Sequence, residues 1–446
     1  MARLDDPVTI GGLRLRNRLY RAPLLECAGN GEGAVDALID HLEPAAASGA
    51  GLVCQGATLV SERGGCAAPG MTRVHDPEFV AGLSRLTDRI HDHGARIAIQ
   101  LEEGGLRSME TWHAGYRREH PDLTQRAVSR PPWPLRLFDR LGFLSYDPRV
   151  LDTDEVYDLA AAFGRAAGYA VDAGYDVVHV AGANMGIVHQ FLSPFYNRRE
   201  DEFADGVHFL EVVHDEVRER AGDVPLMTKV PAEVAAPPGV GPRLSTADAV
   251  GICRSLADYG YDALVPVSGS VFWDMSIVRG AYPAAAFGDD RFRDGYAEAF
   301  GGRWRARLVA LATRAESLRY DFEPAWNAGL CRRVREAVDV PVLAEGGIRE
   351  RGEMDRLLGT ACDLVGMARP FYAEPELPAR LLGVDGESTS DRPEPDTGAV
   401  CESCNNCTVP QVTGAPGVCR TPSVLRRVGE LRRQGTYERD DADPDG

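Results

Sequence analysis

Eight short apolar runs recur along the chain, each followed by a stretch of helical spacing, and this alternation restricts the fold more than any other feature. The runs are Leu19–Leu24, Gly51–Ala57, Arg96–Leu101, Asp176–Val180, Pro225–Val230, Ala263–Val267, Pro341–Ala344 and Asp363–Met367. They are mostly continuous rather than alternating, the pattern of parallel strands covered on both faces. Between them, Val156, Leu159, Ala160, Phe163, Ala167, Ala170 and Val171 fall on one helical face, with Asp152 and Glu155 as a start signal. Ser245 opens another helix and Gly260 follows its end, while Phe209–Arg220, Gly329–Ala337 and Met354–Gly359 have similar spacing. The repeated strand–helix unit predicts an α/β fold, a (β/α)8 TIM barrel. An open doubly wound sheet is the alternative, but no GxGxxG follows the first strand.

Residues 1–382 are assigned to the barrel. Two connections in it are too long for turns: about 102–151, and about 268–324, which carries Phe272, Trp273, Tyr282, Phe287, Phe292, Tyr296, Phe300 and Trp304. Both follow barrel strands, so both are expected at the C-terminal face, where barrel enzymes keep their sites. The aromatic residues predict a packed cap over an enclosed ligand. Residues 383–400, rich in Gly, Ser, Asp and Pro, have the composition of a linker. A cysteine segment over 401–427 and a polar tail over 428–446 follow.

A net charge of −18 argues against nucleic acid and against an anionic membrane surface as partners. The N-terminus lacks a signal-peptide apolar core, and no apolar run approaches the ~20 residues of a membrane span. A cytoplasmic location follows as the expectation. Thiols stay reduced there, which favours metal ligation over disulfides for grouped cysteines. Cys27, Cys54, Cys66, Cys253, Cys331 and Cys362 are scattered in small or apolar surroundings and are expected to be small buried hydrophobes.

"LRNRLYRAPL", "SGAGLVCQGATLV", "IAIQL", "QFLSPFYNRREDEF", "DVPVLAEGGI" and "CDLVGMARPFYAEPEL", in this order, resemble stretches of the old yellow enzyme family of FMN-dependent barrel oxidoreductases. "LRNRLYRAPL" is similar to the family's first strand, which implies that backbone around Ala22, Pro23 and Leu24 touches flavin. "SGAGLVCQGATLV" is similar to the second strand and places Ala57 near the ring. "IAIQL" implies that Gln100 hydrogen-bonds the flavin pyrimidine. "QFLSPFYNRREDEF" is the most specific match. "DVPVLAEGGI" and "CDLVGMARPFYAEPEL" resemble the phosphate-binding strands, which gives Gly346, Gly347, Ala368 and Arg369 to the FMN phosphate. A phosphate wants N–H groups from a tight turn and a fixed positive charge, which Gly346-Gly347 and Arg369 supply. Lys229 stands where the family has a cation facing the reduced flavin.

The substrate half departs from the family. Its reductases polarise a carbonyl with a His–His or His–Asn pair, and a nearby tyrosine donates a proton. Here the pair positions are Ala181 and Asn184, and the tyrosine position is Gly186. A His and an Arg usually found after the glutamine are Glu103 and Leu106. Asn184 could still donate one hydrogen bond to an oxygen. His179 is either an acid or ligand facing the barrel or a satisfied core histidine. Glu102 and Glu103 could hold a cationic substrate, although a solvated loop start is the favoured reading. Trp112, His113 and Tyr116 are further candidates, and His189 has no evident place.

"CESCNNC" and a later cysteine give C-x2-C-x2-C-x11-C, from Cys401, Cys404, Cys407 and Cys419. Compact thiolates of this kind clasp a cubic iron–sulfur centre. The spacing resembles that of the iron–sulfur branch containing trimethylamine dehydrogenase and 2,4-dienoyl-CoA reductase, and implies a 4Fe-4S cluster. A structural zinc site is the alternative. With a cluster, an external electron carrier or separate reductase is expected; without one, NAD(P)H or the substrate reduces FMN directly. The expected activity is hydride transfer between flavin and a small organic substrate, foremost reduction of an activated C=C bond. Oxidation of a C–N or C–H bond is the first alternative, and a non-catalytic electron-transfer flavoprotein the second.

Overall fold

The computed structural model describes residues 2–234, 240–272, 274–382 and 398–438. Its main sheet has eight parallel strands: β1 (Leu19–Arg21), β2 (Leu52–Leu59), β3 (Arg96–Glu102), β4 (Val177–Val180), β5 (Leu226–Glu233), β6 (Ala263–Gly269), β7 (Leu343–Ala344) and β8 (Leu364–Met367). Neighbours pair in chain order, and β8 pairs with β1. The remaining seam, between β6 and β7, is closed by a parallel bridge from Leu264 to Val342, with Leu264 N donating to Pro341 O at 3.0 Å. The sheet is thus a TIM barrel. All eight expected strands are present. β5 runs three residues beyond its expected end, so Lys229 lies within it, opposite Val265, rather than at its tip.

Side chains inside the barrel follow the two-residue strand period. Its lower layers hold Leu52, Cys54, Ala98, Val177, Met227, Ala263, Val265, Leu343 and Leu364. A short antiparallel hairpin, Val8–Ile10 with Leu13–Leu15, contributes Ile10 and Leu15 to the same cluster and plugs the lower end. Outside, the helices form the second layer. Thr153–Asp172 begins with a reciprocal capping box between Asp152 and Glu155, as expected, and packs against Gly206–Ala221. Phe209 stacks on Phe191 at 4.2 Å between centroids and meets Phe163 edge-on at 6.2 Å.

Both long connections contain helices. The first holds Met109–Trp112, Ala114–Glu119 and Trp133–Arg140; the second holds Arg293–Phe300 and Arg303–Arg319. They meet where Trp112 packs on Phe300 at 6.3 Å. Of the aromatic residues expected in the second cap, Trp273 lies outside the described residues, and Trp304 is 59% exposed. Tyr282 stacks on Phe287 and Tyr296 on Phe300, with a tilted Phe287–Tyr296 contact joining the two pairs, and the cysteine segment packs on the same helices rather than standing apart. Most of the composition-based linker, 383–397, lies outside the described residues; Gly398 bridges to Glu350. The helix Pro422–Arg433 crosses the 427–428 boundary, because Val424, Val428 and Leu431 give it one buried face that a composition count does not register. Residues 439–446 of the polar tail lie outside the described residues. Among the described residues, no helix is long and apolar enough to cross a membrane.

The Phe163–Phe209–Phe191 contact ties the outer helices together. Phe209→Ala should therefore cost about 3–5 kcal/mol, as large-to-small aromatic substitutions in cores do, seen as a lower midpoint in denaturant unfolding.

Candidate active site

At the C-terminal end of the barrel, β1, β2, β3, β5, β6, β7 and β8 open into a cavity of about 360 Å³. Pro23, Leu24, Ala57, Gln100, Lys229, Gly346, Gly347, Ala368 and Arg369 all line it, and so does Asn184. Ala22 does not; it is fully buried below, in the barrel interior. His179 also stays below. Its Nδ1 lies 3.5 Å from Gln100 Nε2 and 3.9 Å from Cys54 Sγ, and its Nε2 is buried with no partner. Burial, and then the charge of Lys229, hold the imidazole well below its usual range. A neutral core histidine beneath the cavity floor is the arrangement the structure has, and its second nitrogen is not satisfied.

Lys229 Nζ binds Glu345 Oε2 at 2.6 Å, and Tyr20 Oη donates to the other Glu345 oxygen. The cation is therefore shared with a partly buried carboxylate, which its sequence context did not reveal. Lys229 is also the only lysine in the chain. Every other basic aliphatic side chain is arginine, so a compact ammonium is present only at this one buried position.

Gly346 and Gly347 have φ of 100° and 73°, the left-handed region that glycine tolerates. A Cβ at Gly347 would come within 2.3 Å of Glu323 O, and one at Gly346 within 2.6 Å of the Trp326 ring. The turn is thus bare backbone bordering the cavity. Arg349 and Arg369 also line it. Arg369 is not free to serve a ligand alone: it donates to Val278 O, Arg279 O and Asn405 Oδ1. Arg349 donates to Cys401 O at 2.8 Å.

The structure corrects the solvated reading of Glu102 and Glu103. Glu102 is 5% exposed and Glu103 2%. β3 continues to Glu102, and the two-residue period sets it above Ala98 and Gln100 on the inner face, where it lines the cavity. Arg107 Nη1 stands 3.6 Å from its carboxylate. Glu103, on the opposite face, accepts from Ser61 Oγ and from Arg126 Nη1, the latter at 3.2 Å. Trp112, His113 and Tyr116 pack inside the first insertion and do not line the cavity.

Asn184 and Met185 both have φ of 62°. The rare turn is held by the following helix: Met185 N donates to His189 Nδ1 at 2.9 Å, and Gln190 Nε2 donates to Met185 O at 2.7 Å. His189 Nδ1 accepts, so Nε2 carries the proton and donates to Glu233 Oε1 at 3.0 Å. Ser193 Oγ donates to the same oxygen. The HQFLSP stretch is thus a buried clamp for the Asn184 turn, which gives His189 its place.

A smaller cavity adjoins. Cys401, Cys404, Cys407 and Cys419 line it together, with Arg369 and Ser403 forming a wall shared with the larger cavity. Left-handed backbone at Ser403 (φ 53°) and Asn405 (φ 59°) curls the loop. Burial raises the Cys401, Cys407 and Cys419 thiols, Cys407 to about 12, against the charge of Arg369 on the first two. Among the described residues, no three His, Cys, Asp or Glu side chains converge on a point suited to one metal ion. The other six cysteines are free; five are buried and Cys27 is half-buried.

The profile of the NADH:flavin oxidoreductase / NADH oxidase family matches residues 3–275. The chain belongs to this family. A metal reductase from Desulforamulus reducens is 28% identical over 414 residues, covering 91% of this chain and 51% of the relative. Histamine dehydrogenase from Rhizobium sp. 4-9 superposes with a TM-score of 0.70 at 20% identity, over 95% of this chain and 53% of that one. The chain spans about half the length of both. An old yellow enzyme homologue from Zymomonas mobilis superposes with a TM-score of 0.60 at 19% identity, over 95% of this chain and 98% of that one. The family is a flavin family, and the cavity has the size of a cofactor site.

Gly347→Ala should lose bound flavin and lower stability. Left-handed backbone alone costs a non-glycine residue about 1–2 kcal/mol, and the clash with Glu323 O adds to it. Flavin released per chain and the unfolding midpoint are the readouts.

Proposed function

We propose that the chain is an FMN-dependent oxidoreductase that reduces an activated C=C bond of a small organic substrate. The observation that carries this reading is the single cavity on which nine residues expected at FMN, and Asn184, converge. Bound FMN would supply hydride chemistry. The chain's own groups then have separable tasks. Backbone N–H groups around Gly346 and Gly347, with the charge of Arg349 and Arg369, suit the phosphate. Gln100 suits the pyrimidine edge, and Lys229 supplies positive charge beside it, moderated by Glu345. Asn184 offers an amide N–H to a substrate oxygen, held in place by His189 and Gln190.

The four cysteines are proposed to hold a 4Fe-4S cluster, which would supply one-electron transfer. Support comes from all four lining one cavity, and from the wall that cavity shares with the larger one through Arg369 and Ser403. A single zinc is the alternative. NAD(P)H or a one-electron carrier is the proposed reductant, and residues 1–382, 383–400 and 401–427 are proposed as barrel, linker and cluster segment. Oxidation of a C–N bond remains a second reading because a buried carboxylate, Glu102, lines the cavity. That reading needs Glu102 ionised to hold an ammonium, whereas burial favours its neutral form.

Anaerobically purified protein should have flavin absorption, a broad shoulder near ~400 nm and about four irons per chain. Zinc in place of iron removes the cluster, and a colourless protein that takes up no FMN removes the whole reading. Cys404→Ser should lose iron and keep flavin. Gln100→Ala and Lys229→Ala should each weaken FMN binding about tenfold or more, the scale of a lost hydrogen bond to a charged or buried group. Because Lys229 is the only lysine, FMN should also protect the chain's one ε-amine from acylation, read by mass spectrometry.

A further inference from the structure

Reduction of a C=C bond adds one hydride and one proton, and the proton needs a donor at the site. Position 186 offers none, being glycine. Most cavity groups that carry a proton are committed elsewhere. Lys229 is bound to Glu345. Tyr372 Oη donates to Leu25 O at 2.7 Å. The arginines remain charged at any working pH. Glu102 is held more loosely, its charged neighbour Arg107 Nη1 standing 3.6 Å away. It stands on the inner face of β3, two residues beyond Gln100, lines the cavity with Asn184 and Arg107, and is 5% exposed. A Cβ on Gly186 would come within 3.3 Å of Glu102 Oε1. The carboxyl group therefore borders the space that a side chain at 186 would enter.

We propose that Glu102 is the catalytic acid, giving its proton to the substrate carbon that does not receive hydride. The assignment rests on the C=C reduction proposed above. The hydride brings both electrons of one new C–H bond. The π electron pair of the double bond moves to the other carbon and takes the Glu102 proton, forming the second. Glu102 is left as a carboxylate beside Arg107 and regains a proton from water. Burial raises the Glu102 carboxyl above its ordinary range; Arg107 and Lys229 oppose that shift and Glu103 adds to it. An acid works only while protonated, so the proton-transfer rate should be full below the raised pKa and fall as pH rises through it.

The probe is 2-cyclohexenone, mixed in stopped flow with pre-reduced holoenzyme. In E102Q, flavin reoxidation by the enone should slow by about 10²–10⁴-fold while bound flavin is retained, and E102D should restore part of the rate. Glutamate labelled with ¹³C at the carboxyl should give wild-type holoenzyme a resonance that titrates above the ordinary carboxylate range and is absent from E102D. Reoxidation of E102Q at the wild-type rate overturns the proposal. So does a Glu102 carboxyl that is ionised throughout the neutral range, a result that needs only wild-type and E102D protein if E102Q does not fold. A wild-type holoenzyme that binds FMN but is never reoxidised by the enone is a separate outcome. It sinks the C=C reading itself, and the Glu102 assignment with it.

Discussion

The cavity rests on the ion pair between Lys229 and Glu345. Two opposite charges face each other above apolar lower layers, and Lys229 without its partly buried partner would be an uncompensated buried charge. Breaking such a pair costs more than the pair contributes, because the survivor keeps its desolvation penalty. Other polar groups of this layer are arranged around it. Tyr20 gives its hydroxyl to Glu345, and the Lys229 charge helps to keep His179 neutral below the floor. Gln100 lines the same cavity, with its amide nitrogen 3.5 Å from His179 Nδ1.

Above that layer, strand alternation decides what faces the ligand. On β3 the period of two puts Gln100 and Glu102 on the inner face and turns Glu103 toward Ser61 and Arg126. Two adjacent glutamates with the same sequence context thus have different surroundings. The Asn184 turn illustrates the complementary case. Its left-handed backbone is unfavourable locally and persists because His189, Gln190 and Glu233 over-determine it from buried positions.

The cysteine segment is built into the barrel mouth. Arg369 bonds both the second insertion and Asn405, Ala286 N donates to Asn406 Oδ1 at 3.0 Å, and Gln411 Nε2 donates to Leu25 O at 2.6 Å. These contacts stitch the segment to the insertion and to the loop that follows β1. They also place Ser403, Thr408, Gln411 and Val412 on the wall of the larger cavity. An arginine assigned to a phosphate is here also the strut between the two cavities.

The sequence by itself determined the barrel, because eight buried parallel strands must be continuous apolar runs and the helices between them must be amphipathic. It also determined most of the cavity's lining, since those residues sit in short local patterns at strand ends. Tertiary structure alone decided which charged groups are paired and which are buried. Nothing near Lys229 in the sequence points to Glu345, more than a hundred residues away, and nothing near Glu102 sets it beside Gly186. The place of His179 could not be read from strand pairing, which sets it opposite Gln100; only the closed barrel shows it fully buried and away from the cavity lining. The single lysine and the continuation of the alternation from Gln100 to Glu102 were legible signals of the site. Their meaning depends on a closed barrel, which brings distant strands within hydrogen-bond reach and removes the water that would otherwise make their charges ordinary.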